Sequence, residues 1–280
     1  MRTGSGKNPA LFFCLPHFCQ VTILRGTNMI QLFNDDCLEI LPRLSDESVE
    51  LILVDLPYAV TDCEWDVIIP FEFMWKELNR IAKPKTPMVF TATQPFTSML
   101  LMSNKKQFKH EWIWEKSQGT NPMASNYAPM KCHESVLVFG NGSINYFPQM
   151  EKGKPYGGFS GDKGIGEVYG KNLKSTHRDN PTGERFPRSV QYFKSEKGFH
   201  PTQKPVELME YLVNTYCSEN GTVLDFTMGS GTTGVAAVNC GRNFIGVERD
   251  DEYFKICQER IGNAEKIMKK KENGVKRFFK

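Results

Sequence analysis

Two short stretches of this chain carry residue types that could do chemistry. In the first, Asp55, Leu56, Pro57 and Tyr58 set a carboxylate, a forced turn and an aromatic ring side by side. Asp55 can accept hydrogen bonds from an exocyclic amine, the free carbonyl of Leu56 can accept a second, and Tyr58 can stack on a flat ring. Such an amine is a poor nucleophile because its lone pair is delocalised into the ring. Two acceptors on its hydrogens favour the pyramidal nitrogen that attacks, so they stabilise what develops in the transition state. The plainer reading is a strand-end turn with an Asp cap and a packed Tyr, and four residues alone do not separate the two.

The second stretch runs Val223-Leu224-Asp225-Phe226-Thr227-Met228-Gly229-Ser230-Gly231-Thr232-Thr233-Gly234 and reads as a strand, a glycine turn and a helix start. Glycines let backbone amides approach a ligand closely, and a helix N-terminus offers N–H donors. Gly229, Gly231 and Gly234 match GxGxxG, and Glu248 ends the following strand, where an acid meets ribose hydroxyls in nucleotide folds. A nicotinamide or flavin cofactor would set its pyrophosphate on those amides. A methyl donor would set the methionine part of S-adenosylmethionine there, with Asp225 near its ammonium; a turn with no ligand is the third reading. Asp225 favours the methyl donor, because a carboxylate inside the fingerprint repels a pyrophosphate. Too little chain follows Glu248 to complete a two-halved dinucleotide fold.

The elements that must position these residues alternate. Val49 to Val54 is a short apolar run that reads as a buried strand, and Pro57 forces it to end at or just after Asp55. Met29 to Asn34 reads as a strand before it, followed by a helix from about Cys37 to Leu44 capped by Asp35 or Asp36. Phe71 to Ala82 has helical spacing and stops at Lys83-Pro84. Met88–Thr91, Trp112–Trp114, Val136–Phe139, Thr222–Asp225 and Asn243–Val247 read as further strands. Pro205 opens a helix through Tyr216, Thr232 to Asn239 is another, and Asp250 or Asp251 caps a last amphipathic one whose Lys269–Lys271 end suits a helix C-terminus. Strands alternating with helices predict an α/β, doubly wound, mostly parallel sheet, and ligands in such sheets bind at the carboxyl ends of the strands.

The alternation fails between about Ser117 and Phe199, a stretch rich in Gly, Pro, Asn, Lys and Arg with interleaved Tyr and Phe. A basic, aromatic irregular segment of that length suits nucleic-acid contact, with a solvated loop insertion as the bland alternative. Net charge adds nothing to this, since +3 over 280 residues is only mildly basic. The eight cysteines form no CxxC pair, which predicts a reducing cytosol, no disulfide framework and no metal. No run is apolar enough for a membrane span. Residues 10–24 faintly resemble a signal peptide but are broken by Pro16, His17 and Gln20, so residues 1–28 are expected to be a leader outside the fold.

Taken together, these residues resemble the amino-group DNA methyltransferases in their permuted, β-class order. That family carries an [Asp/Asn/Ser]-Pro-Pro-[Tyr/Phe/Trp] motif, then a target-recognition region, then Phe-x-Gly-x-Gly; Asp55–Tyr58, the irregular segment and Phe226–Gly231 match in order. Its His-Pro-Thr-x-Lys-Pro element is matched by His200–Pro205, and Trp114-Glu115-Lys116 and His133-Glu134 match shorter motifs. The resemblance covers most of Met29 to Ile261 and departs from the pattern at Leu56, which stands where proline is usual.

The resemblance implies a Rossmann-like methyltransferase fold with an inserted target-recognition region. Residues 29–116 would form the catalytic half, 117–199 the insertion, 200–265 the S-adenosylmethionine half and 266–280 a basic tail. It implies catalysis by Asp55, Leu56, Pro57 and Tyr58. Donor binding would fall to Asp36, Cys37, Thr202, Lys204 (a point charge for the donor carboxylate), Asp225, Phe226, Gly229, Gly231, Thr232, Thr233 and Glu248. Double-stranded DNA would meet Lys131, Arg178, Arg185 and Arg188. A homodimer and a cognate restriction enzyme are partners compatible with it, in the cytoplasm. Aspartate at the first motif position is similar to the adenine-N6 enzymes, with cytosine-N4 transfer as the alternative. RNA or protein methyl transfer on the same fold, a dinucleotide-dependent oxidoreductase and an inactive DNA binder are the more distant readings.

Overall fold

The computed structural model describes residues 11–15, 18–25, 28–58, 68–120, 122–157, 179–196, 198 and 203–278. They form two compact units, residues 1–147 with 189–280, and residues 148–188. The larger unit contains β1 (Leu11–Leu15), β2 (Phe18–Arg25), β3 (Asn28–Asn34), α1 (Cys37–Ile40), β4 (Leu51–Asp55), α2 (Phe71–Ile81), β5 (Met88–Ala92), α3 (Phe96–Ser103), β6 (Phe108–Thr120) and β7 (Lys131–Phe139). The smaller has β8 (Glu151–Lys152) and β9 (Glu184–Arg185). The larger then continues with β10 (Val190–Phe193), α4 (Val206–Tyr216), β11 (Thr222–Asp225), α5 (Thr232–Asn239), β12 (Asn243–Val247) and α6 (Asp251–Phe278).

Its sheet has the order β1-β2-β3-β12-β11-β4-β5-β7-β6-β10. Strands β3, β12, β11, β4 and β5 are mutually parallel, while β2 and β7 run against their neighbours. The central strands β4 and β5 are apolar except for Asp55 and Thr91 near their carboxyl ends, and buried at every residue but Asp55, as parallel strands covered on both faces must be. One apolar cluster gathers α4, α5 and α6 (Leu212, Ala236, Ile261) and the other gathers α1, α2 and α3 (Ile40, Leu78, Phe96). The architecture is therefore the three-layer, mostly parallel α/β sandwich that the alternation predicts.

Chain order reverses between β4 and β11. From β4 the chain moves outward to β5, and from β11 it moves the other way to β12. The two neighbours pair in parallel through Val223–Leu51 and Leu224–Ile52, so Asp55 and Asp225 leave the sheet at the same edge. A crevice forms where successive connections diverge to opposite faces, and that is the expected ligand position.

Several boundaries differ from the sequence reading. Residues 11–15 and 18–25, expected outside the fold, are strands; β2 pairs antiparallel with β3 along seven residue pairs and places Val21 in the core. They cover the hydrogen-bonding edge that β3 would otherwise expose. The irregular segment is narrower than 117–199: β6 runs on to Thr120, β7 starts at Lys131, and β10 pairs with β6. The first helix changes to a tighter 3-10 turn over Leu41–Arg43, where Pro42 lacks an amide donor. The last helix continues through residues expected to be a tail.

Candidate active site

A cleft of about 400 Å³ opens at the β4–β11 edge. The Asp55–Tyr58 tetrapeptide and the glycine turn both line it, and they are joined directly: Thr227 Oγ1 donates to the Asp55 carbonyl at 2.9 Å. The two motifs lie about 170 residues apart in the chain, and the pairing of β4 with β11 is what brings them together.

Asp55 is held from several sides. Its Oδ1 accepts from the Tyr58 hydroxyl at 2.5 Å and from Thr91 Oγ1, and its Oδ2 accepts from Lys204 Nζ at 2.5 Å. A carboxylate offers roughly four acceptor positions, so these donors leave one on Oδ2. Thr91 reaches Asp55 because it is the paired residue on β5. Burial and the neighbouring Asp55 carboxylate push the Tyr58 phenol well above its ordinary pKa, so at neutral pH it remains a neutral donor. Its ring rests on Phe96, with centroids 5.0 Å apart. Leu56 is buried in the apolar cluster around α1, α2 and α3, so leucine here supplies core packing.

Asp225 is 2 % exposed, and burial raises its carboxyl pKa to about 7, against the opposing bonds from Thr233 and Thr227. A buried acid left this close to neutrality fits a cationic partner in the cleft. Glu248 sits across the turn, accepting from the Gly229 amide on Oε2 and the Asp250 amide on Oε1, both at 2.8 Å. At Asp36, Oδ1 caps α1 through the Leu38 amide at 2.9 Å. No side chain caps the start of α5.

The glycines divide by role. Gly229 lines the cleft at φ +51°, and a Cβ there would meet open space. Gly231 does not line it, which departs from the donor-binding role the motif implies. Its amide donates to the Met228 carbonyl at 2.8 Å, and a Cβ would lie 2.7 Å from Cys257 Cβ on α6. Gly234 is similarly pressed against Ile261 and Phe244. One glycine thus borders the ligand space, and the other two let α5 approach α6 and the sheet.

Cys37, Phe226, Thr232 and Thr233 also line the cleft, beside Asp36, Asp225, Glu248 and Lys204. Lys204, which the motif assigns to the donor carboxylate, lines the cleft with its ammonium turned to Asp55. It is 5 % exposed and pairs with Asp55. Thr202 and Arg178 lie outside the described residues. Lys131 is exposed at the start of β7, on the edge of the sheet that carries Asp55. In the smaller unit, Arg185 donates to the Lys154 carbonyl at 3.3 Å and its guanidinium lies 6.0 Å from the Tyr156 ring; Arg188 falls at that unit's end.

Sequence reasoning missed Thr91, Thr227 and Arg260. Thr91 had a signal, being the one polar residue in Met88–Ala92. Arg260, which donates to the Ser230 carbonyl at 2.7 Å and hydroxyl at 2.8 Å, had none beyond its place on a helix. Among the described residues, no group of three or more His, Cys, Asp or Glu is placed to hold a metal ion. No described helix is long and apolar enough to cross a membrane.

A parallel sheet reversing at a cleft, with an acid–aromatic turn on one side and a glycine turn with buried acids on the other, defines a Rossmann-like methyltransferase. The chain belongs to the DNA methylase family, whose model matches residues 49–259. It is 29% identical over 248 residues to the Type II methyltransferase M1.MboII of Moraxella bovis, covering 78% of this chain and 91% of that one. It is 26% identical over 263 residues to the DNA adenine methyltransferase YhdJ of Escherichia coli, covering 85% of each. Among solved structures it resembles the M1.HpyAVI–SAM complex, with a TM-score of 0.57 at 26% identity, over 83% of this chain and all of that one. The cofactor is S-adenosylmethionine and the substrate is DNA. The cleft's donor set suits that cofactor: Asp225 for an ammonium, the Gly229 border and the α5 start for the methionine part, Glu248 and Asp36 for hydroxyl and amino donors.

Proposed function

We propose that this enzyme methylates the exocyclic N6 of an adenine flipped out of double-stranded DNA, as a modification enzyme of the cytoplasm. The observation that carries the reading is the single acceptor position left on Asp55 Oδ2, beside Tyr58 and in the same cleft as Asp225. Bound S-adenosylmethionine supplies an already activated methyl group, so the protein's work is placement and exclusion of water. Asp55 Oδ2 and the Leu56 carbonyl would each accept one amino hydrogen, steering the nitrogen lone pair toward the methyl. Tyr58, keeping its hydrogen bond to Asp55 Oδ1, would stack its ring on the base. The nitrogen gains the methyl and gives up one proton, which leaves by the partly exposed side of Asp55.

Adenine is favoured over cytosine by aspartate at the first motif position and by the adenine-specific name of one relative. Duplex contact is assigned to Lys131 and to Arg185 and Arg188. A basic residue at the tip-proximal end of the β6–β7 hairpin suits phosphate, since residues 116–133 contain no acid. The test is incubation with labelled donor and mixed-sequence duplex, followed by nucleoside mass spectrometry. N6-methyladenine is expected, and it should vanish in Asp55→Ala while donor binding persists. N4-methylcytosine as the product would overturn the base assignment, and undiminished transfer by Asp55→Ala would overturn the site.

A further inference from the structure

Behind Asp55, on the side away from the glycine turn, four side chains of alternating sign run in a row. Lys204 Nζ lies 2.5 Å from Asp55 Oδ2 and 3.5 Å from Glu134 Oε2, and Glu134 Oε1 pairs with Lys116 Nζ. Glu134 and Lys116 are 14% and 12% exposed, against 26% for Asp55. The row is built from β4, the segment before α4, β7 and β6. Trp114 faces Glu134 directly across the β6–β7 ladder, and Lys116 lies over the Trp114 ring at 5.1 Å. The four formal charges cancel, which is the condition under which such a group can be buried.

We propose that Glu134, clamped by Lys116, is a positioning residue for methyl transfer: it holds Lys204 in place on Asp55 Oδ2 and so fixes which acceptor position the substrate amine finds. Glu134 touches no reacting atom and takes no proton. The inference rests on the reading of Asp55 as the amine acceptor. Lysine has a long flexible stem with three rotatable donors, and nothing about Asp55 alone would keep its ammonium to one side of Oδ2. A second anion behind it does. The same anion counters the cost of burial: burial alone would lower the Lys204 pKa, and Asp55 and Glu134 together turn the shift upward. Among the described residues, the groups facing Lys204 include Asp55 from β4, Glu134 from β7 and the Tyr58 ring, 5.9 Å from Nζ.

Glu134→Gln keeps the shape and removes the charge. It should lower kcat about 10- to 100-fold, the cost of misplacing a reacting group by a fraction of an ångström, with the KM for donor within about twofold. It should also move the alkaline limb of the kcat–pH profile to lower pH, because Lys204 now loses its proton more readily. Glu134→Asp, which keeps the charge, should restore the limb. A merely structural role would lower the melting temperature and leave the limb where it was, and that result would overturn the proposal, as would an unchanged kcat. If Glu134→Gln does not fold, Lys116→Gln tests the same row from its outer end; removing a like charge should move the limb the opposite way, to higher pH, and by less, and an unmoved limb again overturns the proposal. Asp55→Ala run beside them separates the two ideas. Transfer surviving in Asp55→Ala sinks the acceptor reading itself, whereas its loss there with normal Glu134→Gln kinetics sinks only the positioning role.

Discussion

Donor affinity should depend on pH through Asp225. With its carboxyl pKa near 7 in the free protein, the group is about half protonated at pH 7. It must ionise to meet the donor's ammonium. That ammonium stays protonated below about pH 7.7, the usual α-amino range, so a loss of affinity on the acid side belongs to the protein. Between pH 8 and pH 5.5 the ionised fraction of Asp225 falls from roughly nine-tenths to roughly 3%, while the donor's ammonium goes from about one-third to fully protonated, so Kd should rise about 10-fold, or about 1.4 kcal/mol. Titration calorimetry at a series of pH values reads this directly. In buffers of different ionisation heat at pH 7, binding should release about one-third of a proton, about half from Asp225 less the small uptake by the donor's amine. Asp225→Asn should bind more weakly at pH 8 and lose most of the dependence, leaving only the smaller contribution of Glu248, whose pKa burial also raises. The stability sign is opposite: a raised carboxyl pKa gives stability that is full below about 3.8 and lost as pH rises through about 7. Asp225→Asn without donor should therefore melt higher than the parent at pH 8 and close to it at pH 4. A Kd flat from pH 8 to 5.5 with no buffer-dependent heat would refute the reasoning.

The glycines and the hairpin lysine give two further tests. Gly231→Ala combines a φ of +78° with a Cβ 2.7 Å from Cys257 Cβ, and should cost about 1–3 kcal/mol in denaturant unfolding. Gly229→Ala, strained only by its φ of +51° and facing open cleft, should unfold more nearly like the parent while weakening donor binding; equal unfolding losses would contradict the division of roles. Lys131→Ala should weaken duplex binding on all sequences alike and reduce the slope of log affinity against log salt by about one, measured by fluorescence anisotropy; an unchanged slope removes Lys131 from the phosphate contacts.

Much of the layout was legible because local rules governed it. The Phe71–Ile81 helix follows from apolar spacing with buried Met74, Leu78 and Ile81, and the strand ending at Asp55 follows from Pro57. The candidate donor and acceptor turns likewise stood out as short patterns. What could not be read depended on partners distant in sequence. Gly231 looked like a ligand glycine because its constraint comes from α6, some 25 residues on. Lys204 looked like a free cation because Asp55 and Glu134 reach it only through the sheet. The strands at 11–25 were hidden because their apolar residues resembled a leader, and the open edge of β3 that they cover has no sequence signature. The helix Phe96–Ser103 was missed because it is apolar with little difference between its faces.

The strand order also bears on how the chain folds. Consecutive β3 and β4 stand apart in the sheet, and the two strands between them, β11 and β12, are the last in the chain. During synthesis, the inner edges of β3 and β4 must wait for more than 160 residues before their neighbours exist. Pairings of that sequence separation fold slowly and leave hydrogen-bonding edges exposed to other chains meanwhile. A chain stopped short of Thr222 would keep Asp55 and Tyr58 yet present two raw strand edges, and aggregation rather than partial activity is its expected fate.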